Sequence, residues 1–280
     1  MTCPNLKAVI FDIGGVVLKS PFLAIAAYEQ EHNLPDNYIN VSITRRGDSG
    51  AWQKFERGEM PLYDFYKSFG DELSDTRNGN IWYTEYSRRK GMRCPALPEK
   101  LAIDGRELFG RMMRESSEYD ELVVNAIRRI RESRRWRVIA LTNNFSKFDS
   151  PQASGTSGSH VTPLSAATGL PATELAFLGW DKGGPVPPSL RSLFDDFCDS
   201  STLGMRKPDP AFYLLACQRN EIAPEDAVFL DDIGANLKTA RDLGMQTIRV
   251  SIGGSLSALK KLEVMLGIGL TDGAASISKL

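Results

Sequence analysis

Four short runs of mostly apolar residues constrain this chain more than any other feature. They span 6–11, 137–141, 227–230 and 246–250. Runs of this length without strict alternation of apolar and polar residues are typical of strands that are covered on both faces. Helical patterns lie between them, so we expect an α/β fold built on a parallel sheet with helices on both faces.

Two helical patterns support this architecture. The segment from about 119 to 135 places its apolar residues on one face, while its arginines lie elsewhere and favour a solvated face over a nucleic-acid patch. In the second pattern, apolar residues recur every three positions from 237 to 243, and Gly244, a typical C-terminal stop, follows them. The apolar positions of the two patterns are Leu122, Val123, Ala126, Ile127 and Ile130, and Leu237, Ala240 and Leu243.

The two longest stretches between the runs have different compositions. Residues 19–117 favour helix, are rich in aromatic residues and lack buried-strand runs, so we expect an inserted helical cap. Residues 150–189 are dominated by Ser, Thr, Gly, Pro and Ala, and we expect a mobile, dispensable loop there because such a composition buries little apolar surface. The sheet would then be built from residues 1–18 and 118–280.

Composition excludes several classes of protein. The 280 residues are 42% hydrophobic and 25% charged, with 34 Lys and Arg against 35 Asp and Glu, so a fibrous, disordered or membrane-spanning chain is not expected. A formal charge of −1 gives no general attraction to nucleic acid or membranes. The four cysteines lack CxxC spacing, and an apolar run begins almost at once after the N-terminus, so we expect reduced thiols and a cytoplasmic protein without a signal peptide.

Polar residues follow the predicted strands or open a helix. Each has a plain explanation when it is taken alone, as a turn residue, a helix N-cap or the start of a helix. Together, carboxylates, a hydroxyl, an amide and a lysine are the groups needed to handle a phosphoryl group with Mg²⁺, and the ends of parallel strands would bring them to one edge. These candidates are Asp12, Thr142, Asn143, Lys207, Asp231 and Asp232.

Four stretches that contain these residues resemble, in order and spacing, the motifs of the haloacid dehalogenase superfamily. The segments 55–59 and 193–197 are also similar to the N-terminal phosphatase domain of soluble epoxide hydrolases and their fungal relatives. The resemblance implies a Rossmann-like parallel sheet with an inserted helical cap, and it leaves a homodimer open. The four stretches are Phe11–Val17, Leu141–Asn144, Lys207–Pro210 and Phe229–Asn236.

The resemblance also implies a mechanism. Asp12 would attack the phosphorus of a small organic phosphate and form an aspartyl-phosphate. Mg²⁺ would neutralise the nucleophile and the phosphate. Its ligands would be Asp12, the Gly14 carbonyl, Asp231 and Asp232.

The remaining motif residues would bind the phosphoryl group or orient the residues around it. Thr142, Asn143 and Lys207 would bind the phosphoryl oxygens. Asp209 and Asn236 would orient their neighbours. The resemblance therefore implies a metal-dependent phosphoric monoester hydrolase.

One position departs from the pattern. Phosphatases of this superfamily usually carry a second aspartate two residues after the nucleophile, which protonates the leaving oxygen, and here that residue is Gly14. We therefore expect substrates with good leaving groups, such as sugar 1-phosphates, acyl or aryl phosphates, or diphosphates. A catalytically weak or inactive phosphoryl-ligand-binding protein is the alternative. Dehalogenation is disfavoured because the related dehalogenases carry an aromatic residue where Gly14 stands and do not need the metal.

Overall fold

A computed structural model describes residues 6–145 and 169–271 of the chain. The chain divides into two compact units. The first unit comprises residues 1–20, 116–144 and 186–280, and it contains the sheet. The second comprises residues 21–115 and 145–185, and its described part is helical.

The strands and α-helices of the described ranges follow in chain order: β1 (Ala8–Phe11), α1 (Phe22–Glu31), α2 (Tyr38–Arg45), α3 (Ala51–Glu56), α4 (Leu62–Leu73), α5 (Thr76–Arg89), α6 (Gly105–Glu115), α7 (Glu121–Ser133), β2 (Arg137–Thr142), α8 (Ala172–Leu178), α9 (Pro188–Arg191), β3 (Asp196–Asp199), α10 (Ser200–Leu203), α11 (Pro210–Arg219), β4 (Ala227–Asp231), α12 (Gly234–Asp242), β5 (Gln246–Arg249) and α13 (Ser255–Leu266). Short 3₁₀ helices cover Gly47–Ser49 and Pro224–Asp226. No helix of these ranges is both long and apolar enough to cross a membrane.

The five strands form one parallel sheet in the order β3-β2-β1-β4-β5, which confirms the expected α/β fold. Ala8 of the central strand lies opposite Arg137 of β2 and Ala227 of β4. Successive residues point to opposite faces, so Val9 packs with α7 and α13 while Ile10 packs with α11 and α12. Because both faces are covered, the central strands need apolar residues at every position.

The edge strand β3 was not predicted. Its sequence, Asp-Phe-Cys-Asp, has a charged residue at each end, and aspartate disfavours strands. Tertiary contacts stabilise it: Asp196 accepts hydrogen bonds from Arg219 (2.7 and 3.0 Å) and from Asn220 (2.9 Å) at the end of α11. These partners lie more than 20 positions away along the chain, so local sequence carries no sign of them.

The second unit has a core of aromatic side chains. Phe55 and Phe65 stack with ring centroids 4.2 Å apart, and Phe109 meets both rings edge to face. Trp52 contacts Phe65 and Phe109 from its partly buried position. The aromatic residues that distinguish this stretch in the sequence therefore mostly build the unit's own core, although Tyr63 is exposed.

The prediction of a mobile loop over 150–189 was wrong for its described part. Helix α8 lies in this stretch, and Leu175, Leu178 and Trp180 are buried in the aromatic core of the second unit. Glu174 is also buried and accepts hydrogen bonds from Tyr66 (2.8 Å) and Arg106 (2.8 Å). The helix was not predicted, because small and polar residues dominate the stretch around its few apolar residues. Residues 146–168 lie outside the described ranges.

Candidate active site

The predicted site residues of the first unit meet at the carboxyl edge of the sheet. Asp12 directly follows β1, Thr142 is the last residue of β2, and Asp231 is the last residue of β4. All three side chains are buried. Because the strands are parallel, their carboxyl ends lie at one edge, where open α/β sheets bind their ligands.

Lys207 is the cation at the centre of this arrangement. Its Nζ lies 2.9 Å from Asp12 Oδ1 and 2.7 Å from Asp231 Oδ2, and the residue is 1% exposed. Burial by itself lowers the pKa of Lys207, but the charges of Asp12 and Asp231 outweigh burial and raise that pKa. The lysine is therefore a fixed ammonium between two carboxylates.

The side chain of Asn143 positions Lys207 through its backbone. Its Oδ1 accepts a hydrogen bond from the Lys207 N–H (2.8 Å), and its Nδ2 donates to the Lys207 carbonyl (3.1 Å). Asp209 accepts from the Ala211 N–H (2.9 Å) and so caps α11. It fixes the start of the helix that follows the lysine.

Asn236 orients Asp231. Its Nδ2 lies 3.2 and 3.0 Å from the two carboxylate oxygens of Asp231, and the backbone N–H of Ile233 donates to Oδ1 at 2.7 Å. The carbonyl of Asn236 accepts from the hydroxyl of Tyr213 (3.0 Å). These contacts hold a fully buried carboxylate in one orientation.

Asp232 lies against Gly15. Gly15 has a φ of +81°, and a Cβ added there would overlap Asp232 Oδ2, so glycine is required on both counts. Ser20 donates a hydrogen bond to the same oxygen at 3.5 Å. Asp232 Oδ1 is buried and has no hydrogen-bond partner among the described residues. Sequence reasoning missed Ser20, because its contact joins positions 212 residues apart.

Thr142, Gly14 and Ser200 complete the polar edge. Thr142 Oγ1 donates to the Asn143 carbonyl at 3.3 Å. Gly14 lies in the turn after β1 and forms an isolated bridge with Leu18. Ser200, which follows the unpredicted strand β3, accepts from the backbone N–H of Asn144 at 2.9 Å. It was missed because the strand that positions it was missed.

The three aspartates suit a divalent cation. Asp12, Asp231 and Asp232 each offer an oxygen, and these oxygens lie within 4.8 Å of one another. Burial raises the pKa of Asp12 well above its usual range, although Lys207 opposes this effect. Burial and the charge of Asp231 raise the pKa of Asp232 to about 7. Three converging carboxyl groups, two of them in contact with the Lys207 ammonium, fit an oxygen-binding metal such as Mg²⁺, as does the buried Asp232 oxygen that lacks a partner among the described residues.

Curated relatives cover nearly the whole chain. Acyl-CoA dehydrogenase family member 10 of Mus musculus is 29% identical over 267 residues, which are 95% of this chain and 20% of the relative. Bifunctional epoxide hydrolase 2 of Sus scrofa is 28% identical over 266 residues, which are 95% of this chain and 40% of the relative. The chain thus spans less than half the length of either relative.

Solved structures share the fold. A HAD family enzyme from Bacteroides thetaiotaomicron, solved as a magnesium complex, superposes with a TM-score of 0.50 at 14% sequence identity and covers 92% of this chain and 99% of that one. The haloacid dehalogenase-like hydrolase family matches residues 6–244, a range that contains every site residue described above. The chain therefore belongs to the haloacid dehalogenase-like hydrolase family.

Proposed function

We propose that this protein is a Mg²⁺-dependent phosphatase that acts on a small organic phosphate through an aspartyl-phosphate. The observation that carries the proposal is the joint placement of Asp12, Lys207 and the Asp231–Asp232 pair at one edge of the sheet. This edge offers a nucleophile, a fixed cation for a phosphoryl group and oxygen ligands for a metal.

The metal ligands would be Asp12, Asp231, Asp232 and the Gly14 carbonyl. A bound Mg²⁺ supplies positive charge that lowers the repulsion between the attacking carboxylate and the phosphate. Asn236 keeps both Asp231 oxygens in a fixed orientation.

Asp12 acts as the nucleophile. Its Oδ1 is engaged by the Ile13 N–H (2.7 Å) and by Lys207 (2.9 Å), which leaves Oδ2 to attack phosphorus. A bond forms between this oxygen and phosphorus, and the bond from phosphorus to the leaving oxygen breaks with its electron pair on the leaving group. Water then attacks the aspartyl-phosphate, which releases inorganic phosphate and restores Asp12.

Lys207 stabilises the charge on the transferred phosphoryl group. Its ammonium is already in place and desolvated, so it needs little reorganisation during the reaction. The hydroxyl of Thr142 donates a hydrogen bond to a phosphoryl oxygen. Asn143 contributes mainly through Lys207, because its side chain holds the backbone of that lysine.

Gly14 shapes the choice of substrate. It has no side chain to protonate the departing oxygen, and general acid–base assistance is typically worth roughly 10² to 10⁴ in rate. Substrates whose leaving oxygen is a weak base, such as aryl or acyl phosphates and sugar 1-phosphates, need this assistance least. The same feature supports a second candidate, a protein that binds phosphoryl ligands and barely turns them over.

A panel of phosphate esters separates these two candidates. The panel spans aryl to alkyl leaving groups and is assayed with Mg²⁺ and with excess chelator. A phosphatase hydrolyses the aryl esters only with Mg²⁺, and log(kcat/KM) falls steeply as the pKa of the leaving group rises. Binding of phosphate esters without turnover of any of them would favour the binding protein.

The variant Gly14→Asp tests the substrate assignment. It restores an acid beside the leaving oxygen, so the dependence on leaving-group pKa becomes shallower, with the largest gain for alkyl esters. A shallow dependence in the wild-type enzyme would show that another group supplies the proton, and the assignment of good leaving groups would fall.

A further inference from the structure

A basic depression of the surface, open to solvent and called the cavity below, lies at the end of the sheet opposite the candidate active site. Its volume is about 540 Å³, and it is formed where β1 and β2 begin and α7 ends. Strands of four to six residues separate it from the carboxyl edge. Its lining residues are Lys7, Arg131, Glu132, Arg134, Arg135, Trp136, Arg137 and Asp195.

The lining carries a strong local excess of positive charge. Five of its side chains are cationic and two are acidic, an excess of three charges in a chain whose formal net charge is −1. The cations come from three segments: the residue before β1, the end of α7 with the residues that follow it, and the first residue of β2. Such convergence creates a local positive potential that the whole chain lacks.

Three of the cations are held in place by neighbours. Arg131 donates to the Ser192 carbonyl at 2.7 Å and lies 3.2 Å from Asp195. Lys7 pairs with an aspartate outside the cavity, Asp226, at 2.9 Å. Arg137 Nε donates a hydrogen bond to Oδ1 of the buried Asn220 at 3.0 Å. Within the described ranges, its terminal guanidinium nitrogens remain available for other contacts.

The other two cations have no acidic partner within the described ranges. Arg134 and Arg135 are both exposed. The guanidinium of Arg135 lies over the indole of Trp136, 4.3 Å from the ring centroid. This contact orients a planar, always-charged group toward the cavity without neutralising it.

The helix dipole accounts for only part of this cluster. Cations in the last turn of a helix are stabilised by its negative end, which explains Arg131. Arg135 and Arg137 lie beyond that turn, and Lys7 belongs to another segment. Arg134 caps α7 with a φ of +55°, where glycine or asparagine is the usual residue, so backbone geometry does not favour arginine there.

We propose that this cavity binds a small polyanion that carries two or more neighbouring phosphate groups. Its volume is in the range of small-molecule sites. Arginine guanidinium groups bind phosphate oxygens in pairs, and several of them already converge here. A free oligophosphate and a phosphorylated lipid headgroup share this chemistry. The site is separate from the proposed phosphatase reaction and does not depend on it.

Calorimetry with inorganic tripolyphosphate tests the proposal in the presence of a metal chelator. The wild-type chain binds the probe saturably, and the probe changes the fluorescence of Trp136, a change that Trp136→Phe abolishes. The double variant Arg134→Gly with Arg135→Gln binds about tenfold more weakly or worse. Arg134→Gly suits the positive φ at that position, so the double variant retains its fold, as circular dichroism will show.

Two controls define the site. Arg128→Gln removes an exposed arginine of α7 that lies outside the cavity, and it leaves the affinity unchanged. The change in Trp136 fluorescence separates this cavity from the carboxyl edge, because Trp136 belongs to the lining of the cavity. Absence of saturable binding, or equal affinity in the double variant and the wild type, would overturn the proposal. An RNA oligonucleotide or polyglutamate that binds through these arginines where tripolyphosphate does not would overturn it as well.

Vesicles identify the source of the polyanion. Phosphatidylcholine vesicles with a phosphatidylinositol bisphosphate are compared with vesicles of equal charge that contain phosphatidylserine. Binding that requires the bisphosphate and is lost in the double variant supports the proposal with a lipid headgroup as ligand. Binding of tripolyphosphate with no binding to either vesicle supports it with a free polyanion.

Discussion

Lys207 Nζ lies 2.9 Å from Asp12 Oδ1, and both residues are almost completely buried. A buried ammonium is costly unless acidic groups surround it, and a buried carboxylate is costly without a cation. Each residue therefore offsets the desolvation of the other in the resting protein. In the proposed reaction, this ammonium would already lie beside the atoms that gain negative charge when a phosphoryl group reaches Asp12.

Asp232→Ala is predicted to weaken Mg²⁺ binding about tenfold or more, because it removes one of three converging carboxylates. In the metal-free protein the same change should stabilise the fold slightly, since it removes a buried oxygen that has no partner among the described residues. Calorimetry with Mg²⁺ and urea denaturation measure the two effects. The exposed Asp242→Ala is the control, and an unchanged Mg²⁺ affinity in Asp232→Ala would remove this residue from the metal site.

Gly15→Ala should destabilise the protein by about 2–4 kcal/mol and weaken Mg²⁺ binding. The positive φ costs about 1–2 kcal/mol, and the overlap of the new Cβ with Asp232 adds strain. Gly204→Ala is the matched control, because Gly204 has a φ of +67° and an added Cβ there would meet no atom of the described residues within 4 Å. Equal losses in the two variants, measured by urea denaturation, would show that contact with Asp232 is unimportant.

The ends of the central strands could be read from the sequence, but the surroundings of the site could not. Asp12, Thr142 and Asp231 follow apolar runs, so their shared edge follows from a parallel sheet. Ser20 was not foreseen, because its contact with Asp232 depends on how distant segments meet. Strand β3 was missed for the same reason, since Asp196 is stabilised by Arg219 and Asn220 at the end of α11 rather than by local propensity.

The segment 169–185 was predicted wrongly for another reason. Its overall composition indicated a loop, although it contains a short buried helix. Leu178→Ala is predicted to cost about 2–5 kcal/mol, since Leu178 is completely buried in the second unit. The exposed Leu214→Ala should change the free energy of unfolding by no more than about 0.5 kcal/mol. A Leu178→Ala variant as stable as the wild type would support the original expectation of a dispensable loop.

Asp196→Asn should reduce stability at neutral pH but not in strong acid. Burial by itself would raise the pKa of Asp196, but hydrogen bonds from Arg219 and Asn220 outweigh it and lower the pKa to about 2. A carboxyl whose folded pKa is depressed stabilises the fold above its unfolded pKa, and this stability is lost as the pH falls toward the folded value.

The variant should therefore be less stable than the wild type by about 1–2 kcal/mol at neutral pH, with allowance for the partly exposed arginine. This difference in the free energy of unfolding should disappear as the pH falls from about 4 to 2. Urea denaturation across this range measures it. A stability difference that is independent of pH would mean that the charge of Asp196 contributes nothing and that the loss comes from hydrogen bonds that the asparagine amide cannot accept.

The central claim is that the reaction forms a phosphoryl-enzyme on Asp12. The wild-type protein is mixed with Mg²⁺ and an aryl phosphate, quenched in acid within one turnover and digested, and the peptide that contains Asp12 is examined by mass spectrometry. We predict that this peptide gains one phosphoryl group, that chelation of Mg²⁺ prevents the gain, and that Asp12→Asn shows neither the gain nor turnover while it remains folded. Turnover of the ester by Asp12→Asn at the wild-type rate would contradict the account.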